Sequence, residues 1–137
     1  MELSRREFIV GTAAAAGAMC TGCVVLNPAP TYDAAPDGTI LLPATLTTPG
    51  AQIKVRLPGV DEPVLVWRTA SDYRAASVVC THRGREVSLN STEWTLDCPC
   101  HGSRFKQDGA ILNGPAKRPL KHYRCEVEGD RLRIHAS

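Results

Sequence analysis

Two short segments hold most of the side chains able to bind a metal or pass an electron: Cys80-Thr81-His82-Arg83-Gly84 and Cys98-Pro99-Cys100-His101-Gly102-Ser103. Each sets a thiol and an imidazole within a few residues of one another. The 15 residues between His82 and Cys98 suffice for a hairpin, with its turn near Asn90-Ser91. Thiolate and neutral imidazole both suit iron and zinc. One reading is therefore a structural zinc held by two sulfurs and two nitrogens, which would make the chain a zinc-stabilised binding module. The other is a [2Fe–2S] cluster with cysteines on one iron and histidines on the other. Zinc-finger patterns pair Cys with Cys and His with His locally. Here each segment supplies one of each, as a split cluster requires, but spacing alone leaves both readings open.

The elements that must position these segments read as short strands. Ile53, Val55 and Leu57 alternate with Lys54 and Arg56, the period of a half-buried strand. Val64-Leu65-Val66-Trp67 is an apolar run, Ala75 to Val79 leads into Cys80, and Trp94 and Leu96 alternate on the way to Cys98. Tyr123, Cys125 and Val127 alternate with charged residues up to Gly129-Asp130, after which Leu132 and Ile134 do the same. That is a β-hairpin by pattern and turn chemistry. Its pairing sets Glu128 opposite Arg131 and Glu126 opposite Arg133. With no helical period after residue 30, the expected class is all-β, a set of small antiparallel sheets or a barrel-like sandwich.

Composition narrows the function classes. The chain has 137 residues, 43% apolar and 22% charged, with a formal net charge of +2, which fits one folded domain. Cations are scattered among acids and aromatics are few, so no nucleic-acid partner is expected. Of six cysteines, at 20, 23, 80, 98, 100 and 125, three cluster with histidines, favouring a metal site over a disulfide framework. His122 and His135 read as surface residues.

Residues 1–26 read as a targeting segment. Arg5-Arg6 precedes an uncharged stretch from Phe8 to Leu26 rich in Ala and Gly, the architecture of a twin-arginine export signal. Three fates follow: cleavage after Ala16-Gly17-Ala18, lipidation of Cys23 after Thr21-Gly22, or retention as an uncleaved membrane anchor. Each places the remainder in the periplasm or on the outer face of the cytoplasmic membrane. Residues 27–38, with three prolines, read as a tether, and residues 39–137 as the folded domain.

The two segments resemble the Rieske motif, and the strings C-T-H and C-P-C-H-G-S are similar to those of Rieske proteins of cytochrome bc complexes. The likeness continues through Phe105-Lys106-Gln107-Asp108-Gly109, Gly114-Pro115-Ala116, Pro119-Leu120 and Tyr123. It implies a Rieske-like fold with a cluster-binding subdomain at about residues 79–120. It implies one [2Fe–2S] cluster, with Cys80 and Cys98 on the inner iron and His82 and His101 on the outer. It implies that Gly114 and Pro115 belong to a loop covering the cluster and that Ser103 tunes it by donating to a bridging sulfur. Phe105 stands where quinol-oxidising members have a tyrosine whose hydroxyl bonds a ligand sulfur. Arg85 stands where they have a cysteine bridged to the one matching Cys100. Cys100 is therefore expected as a free thiol in its loop, and Cys125 as a small buried residue.

The functional expectation is an exported one-electron carrier without catalysis of its own. It would serve a quinol-oxidising complex or a periplasmic oxidoreductase, as the arsenite oxidase small subunit does. Its donor would be a quinol or reduced protein, its acceptor a cytochrome or similar protein. A Rieske ferredoxin of the oxygenase type is the alternative. Oxygenase catalytic subunits are excluded, because roughly 110 residues leave no room for a second iron domain.

Overall fold

The structure, a computed structural model, describes residues 28–137. The expected export signal, with its lipidation candidate Cys23, lies outside them. The described residues form eleven strands and one 3-10 turn, Ala44–Leu46. The strands are β1 (Thr31–Asp33), β2 (Thr39–Leu41), β3 (Gln52–Arg56), β4 (Val64–Arg68), β5 (Tyr73–Ser77), β6 (Ser88–Asn90), β7 (Thr95–Asp97), β8 (Arg104–Phe105), β9 (Ile111–Asn113), β10 (His122–Glu128) and β11 (Arg131–His135).

Seven strands make one sheet in the order β1-β3-β4-β5-β10-β11-β2, and four make a second in the order β6-β7-β8-β9. All pairings are antiparallel except β1 with β3, which is parallel. The two edge strands of the large sheet, β1 and β2, are joined by a tight turn in which Ala35 N–H donates to Thr39 O at 2.8 Å. The sheet therefore curls toward a barrel, one of the ways β-proteins limit exposed edges.

The barrel interior holds Ile53, Val55, Val64, Val66, Leu132 and Ile134. A second core lies between the outer face of β4–β5 and the small sheet, with Leu65, Trp67, Val78, Val87, Leu89, Leu96 and Phe105. β4 belongs to both: Val64 and Val66 face the barrel, Leu65 and Trp67 the small sheet, and all four are buried. Burial on both faces is why this strand reads as an unbroken apolar run rather than an alternating one. Polar ties reinforce the junction. Trp67 Nε1–H donates to Gln107 Oε1 at 3.1 Å, and Leu89 N–H to Gln52 Oε1 at 3.1 Å. Lys54 pairs with Glu86 at 3.3 Å.

Three details differ from the sequence expectations. Thr31–Asp33, inside the stretch read as a tether, is a strand hydrogen-bonded to β3, so the chain docks on the barrel from Thr31 onward. Its prolines flank the strand or follow it, leaving its backbone donors available for pairing. Trp94 is not a strand residue: it ends the turn 91–94 with φ 56°, and Asn90 Oδ1 accepts the Thr92 and Glu93 amides to hold that turn. The final hairpin has the expected register, but its side chains pair diagonally. Arg133 grips Glu128 at 2.7 and 3.1 Å, and Glu126 bonds His135 at 3.0 Å.

Gly109 closes the turn between β8 and β9 at φ +88°, and a Cβ there would stand 2.2 Å from Leu120 O. Leu120 N–H also donates to Gly109 O at 2.9 Å. Both backbone strain and the clash oppose any side chain. Gly109→Ala is expected to lower unfolding stability by roughly 1–3 kcal/mol, read as a lower midpoint in chemical denaturation.

Candidate metal centre

The two Cys/His segments fold into loops of the same design. In the first, Cys80 N–H donates to Arg85 O at 2.7 Å and Gly84 N–H returns to Cys80 O at 2.9 Å. In the second, Cys98 N–H donates to Ser103 O at 2.8 Å and Gly102 N–H returns to Cys98 O at 3.1 Å. The glycine four residues after each cysteine sits at φ +70° or +77°, a region that favours residues without a Cβ. The histidines break the likeness, standing two residues after Cys80 and three after Cys98.

Flanking strands fix the loops in space. Val79 bridges to Glu86 beneath the first loop, and β7 and β8, paired Leu96 to Phe105 and Asp97 to Arg104, carry the second. Arg104 anchors that base through Asp97 at 3.2 Å and through Glu93.

A third loop, Gly114 to Leu120, fastens the other two. It begins with a cis Gly114–Pro115 bond. Ala116 N–H donates to Ser103 Oγ at 3.1 Å, and Thr81 Oγ1–H donates to Arg118 O at 2.6 Å. Asn113 Nδ2–H donates to Gly102 O at 3.2 Å. Sequence reasoning singled out Gly114 and Pro115 but missed Thr81, Asn113 and Arg118, whose bonds link segments distant in the chain. The repeated Cys-x-x-x-Gly spacing was a signal on the page and could have exposed the twin turns.

Cys80 and Cys98 are buried at the edge of the second core, with Phe105 fully buried in the same cluster. The two thiols interact. Burial first, then the Cys80 thiol, pushes the Cys98 thiol up, while the backbone amides of Cys100 and His101 pull it down. His82 and His101 meet edge to face with ring centroids 5.0 Å apart and planes at 79°. His101 is exposed and His82 half-buried. Desolvation holds the His82 imidazole below its ordinary pKa, with the charges of His101 and Arg83 acting the same way.

The donor set fits a two-iron cluster. His82 Nδ1 is buried without a hydrogen-bond partner, and an unsatisfied buried nitrogen is costly unless something binds it. Among the described residues no three His, Cys, Asp or Glu side chains are placed to share a single ion.

Ser103 is fully buried, with its Oγ taking the Ala116 amide. Its own hydroxyl proton remains available to a further acceptor. The state of the remaining cysteines corrects one expectation. Cys100 is disulfide-bonded rather than a free thiol, and its partner is none of Cys80, Cys98 and Cys125, which are free. Cys125 lies in the barrel lobe, packed against the other core. His122 is exposed and His135 half-buried against Glu126.

An all-β chain with paired Cys/His loops defines, as a class, an iron–sulfur electron-transfer protein. The chain belongs to the Rieske [2Fe–2S] domain family, which matches over residues 41–124, and its cofactor is one [2Fe–2S] cluster. It is 32% identical to cytochrome b6-f complex iron–sulfur subunit 1 of Synechocystis, across 96% of this chain and 84% of that protein. It is 36% identical over 72 residues to the cytochrome b6-f complex iron–sulfur subunit of Chlorobaculum tepidum, covering 53% of this chain and 40% of that one. The crystal structure of the plasma membrane Rieske protein PetC3 of Synechocystis superimposes with a TM-score of 0.55 at 32% identity, covering 62% of this chain and 86% of that chain. The chain spans less than half the length of several curated relatives it matches.

Burial pushes the Cys125 thiol up to about 12, so its thiolate fraction at pH 8 is on the order of 10⁻⁴. Iodoacetamide at that pH is expected to leave Cys125 unmodified in the folded chain and to alkylate it fully in denaturant, as peptide mass spectrometry would show.

Proposed function

We propose that this chain is an exported one-electron carrier whose cluster is held by Cys80 and Cys98 on one iron and by His82 and His101 on the other. The observation that carries the ligand assignment is the orphaned, buried His82 Nδ1 beside a second imidazole, on the same two loops that carry a pair of interacting buried thiols. When bound, the cluster supplies a single reversible electron, and two neutral imidazoles in place of thiolates place its potential at roughly −150 to +300 mV.

The surrounding residues prepare the site for it. Ligation needs neutral imidazole and thiolate. The depressed pKa of His82 favours the neutral ring, whereas burial and Cys80 hold the Cys98 thiol up, a rise that the amides of Cys100 and His101 only partly offset, so the thiolate would form with the metal's help. The exposed His101 edge offers an exit for the electron and, through its distal N–H, a site where proton uptake couples to reduction. Ser103 holds Ala116 in the third loop through its Oγ, and its hydroxyl proton would be free to donate toward the cluster. Phe105 fills the space behind the cysteines without offering a donor.

Similarity to cytochrome b6-f iron–sulfur subunits supports a quinol or a reduced protein as donor and a cytochrome or similar protein as acceptor. The twin-arginine segment supports a place in the periplasm or at the outer face of the cytoplasmic membrane, with Cys23 as the lipidation candidate.

The test is voltammetry of the full-length, cluster-loaded chain against pH. A positive potential that falls above neutral pH is expected. A value near −150 mV, flat across neutral pH, would replace this reading with the oxygenase-type ferredoxin, and a folded chain that takes zinc but shows no redox wave would replace it with the zinc module. The same measurement checks two substitutions. Ser103→Ala should lower the potential and Phe105→Tyr should raise it, each by about 40 mV, the one-electron equivalent of a hydrogen bond worth ~1 kcal/mol.

A further inference from the structure

Some cations of this chain hold a carboxylate, as Arg56, Arg124 and Arg133 do, while others, among them Arg74, Lys106, Lys117 and Arg131, take part in no ion pair among the described residues. Beside the first loop, Arg83, Arg118 and Lys121 take part in none of the ion pairs among the described residues. These three line one groove of about 450 Å³ together with Thr81 and His82. Arg83 lies close enough for its charge to act on the His82 ring. Lys121 is steadied over the Tyr123 ring, 5.0 Å from its centroid. The one carboxylate lining the groove, Glu62, accepts the Ser77 hydroxyl at 3.2 Å. In this groove three cations thus meet one carboxylate, a local excess on a chain whose formal charge is only +2.

We propose that this groove is the docking surface for an acidic redox protein, whose carboxylate side chains enter beside His82 and set the electron-transfer contact there. The inference rests on His82 being a cluster ligand, as proposed above. The groove is concave and all three cations line it, so a protruding carboxylate can enter among them, whereas the flat face of an anionic bilayer would meet only its rim. Glu62 among the cations adds selectivity, repelling partners whose negative charge is spread evenly instead of placed opposite Arg83, Arg118 and Lys121. Charge complementarity of this kind raises association rates and weakens with salt.

The first experiment needs no cluster. Calorimetric titration of the full-length chain with poly-L-glutamate at low salt should show binding that high salt abolishes. Arg83→Gln with Lys121→Gln should weaken it about threefold or more, while Arg56→Gln with Arg131→Gln, which removes the same charge from the far strands, should not. Equal loss in both double variants, or no binding at low salt, would overturn the docking surface.

The second experiment uses the reduced, cluster-loaded chain and two oxidants, anionic ferricyanide and cationic tris(phenanthroline)cobalt(III). Neutralising Arg83 and Lys121 should slow the first and speed the second. A change in potential would move both rates in the same direction, and that result would overturn the steering role. Poly-L-glutamate should protect the cluster from ferricyanide. Protection by phosphatidylglycerol vesicles without protection by poly-L-glutamate would assign the groove to a membrane and overturn the proposal. Failure to take up a cluster would instead sink the proposed function, leaving the titration to judge the groove.

Discussion

A ligand carried on a loop must be held without the ladder of hydrogen bonds that fixes a strand or a helix, and the rest of this site depends on how that is achieved. Each loop closes on itself through its cysteine: the amide of Cys80 or Cys98 reaches forward to a carbonyl five residues on, and the carbonyl of the same cysteine receives a glycine amide. The cysteine is thus the hinge pin of its own turn, with its backbone satisfied on both sides and its thiol directed toward the second core. Offsetting the histidine by one residue between otherwise similar turns brings the two imidazoles together edge to face, not in parallel.

The third loop converts two independent turns into one unit. Its contacts, Thr81 to Arg118 and Ser103 to Ala116, and that of Asn113 to Gly102 at the end of β9 just before it, all join a side chain to backbone. Such bonds define position without requiring a particular partner side chain, so neighbouring residues remain open to variation. Arg118 illustrates this: its carbonyl locks the first loop while its guanidinium lines the groove beside His82. One residue thereby serves both the rigidity of the site and the charge of its surface.

Much of this was legible in the chain, and the gaps have physical causes. The Rieske resemblance, the all-β class and the final hairpin were legible because each rests on local spacing or period. The strand at Thr31–Asp33 was not, because three residues among prolines carry no period and become a strand only through pairing with β3. Trp94 fitted an alternating pattern but takes a left-handed backbone in a turn that Asn90 holds. The pairing of Arg133 with Glu128 instead of Glu126 follows from the reach of a guanidinium across a twisted hairpin, which register does not specify. The oxidised state of Cys100 was missed because disulfide connectivity is not encoded in local sequence.

The double burial of β4 ties the barrel to the metal-binding lobe in a way that bears on how the molecule comes apart. Neither core can open without stripping one face of the same strand, and Trp67 and Gln107 join the lobes at its end. The two lobes therefore form a single cooperative unit, and amide exchange along Val64–Trp67 should report only global unfolding. Loss of the metal group can loosen the outer loops while this shared wall keeps the body of the protein folded, so a damaged centre is left on an intact scaffold.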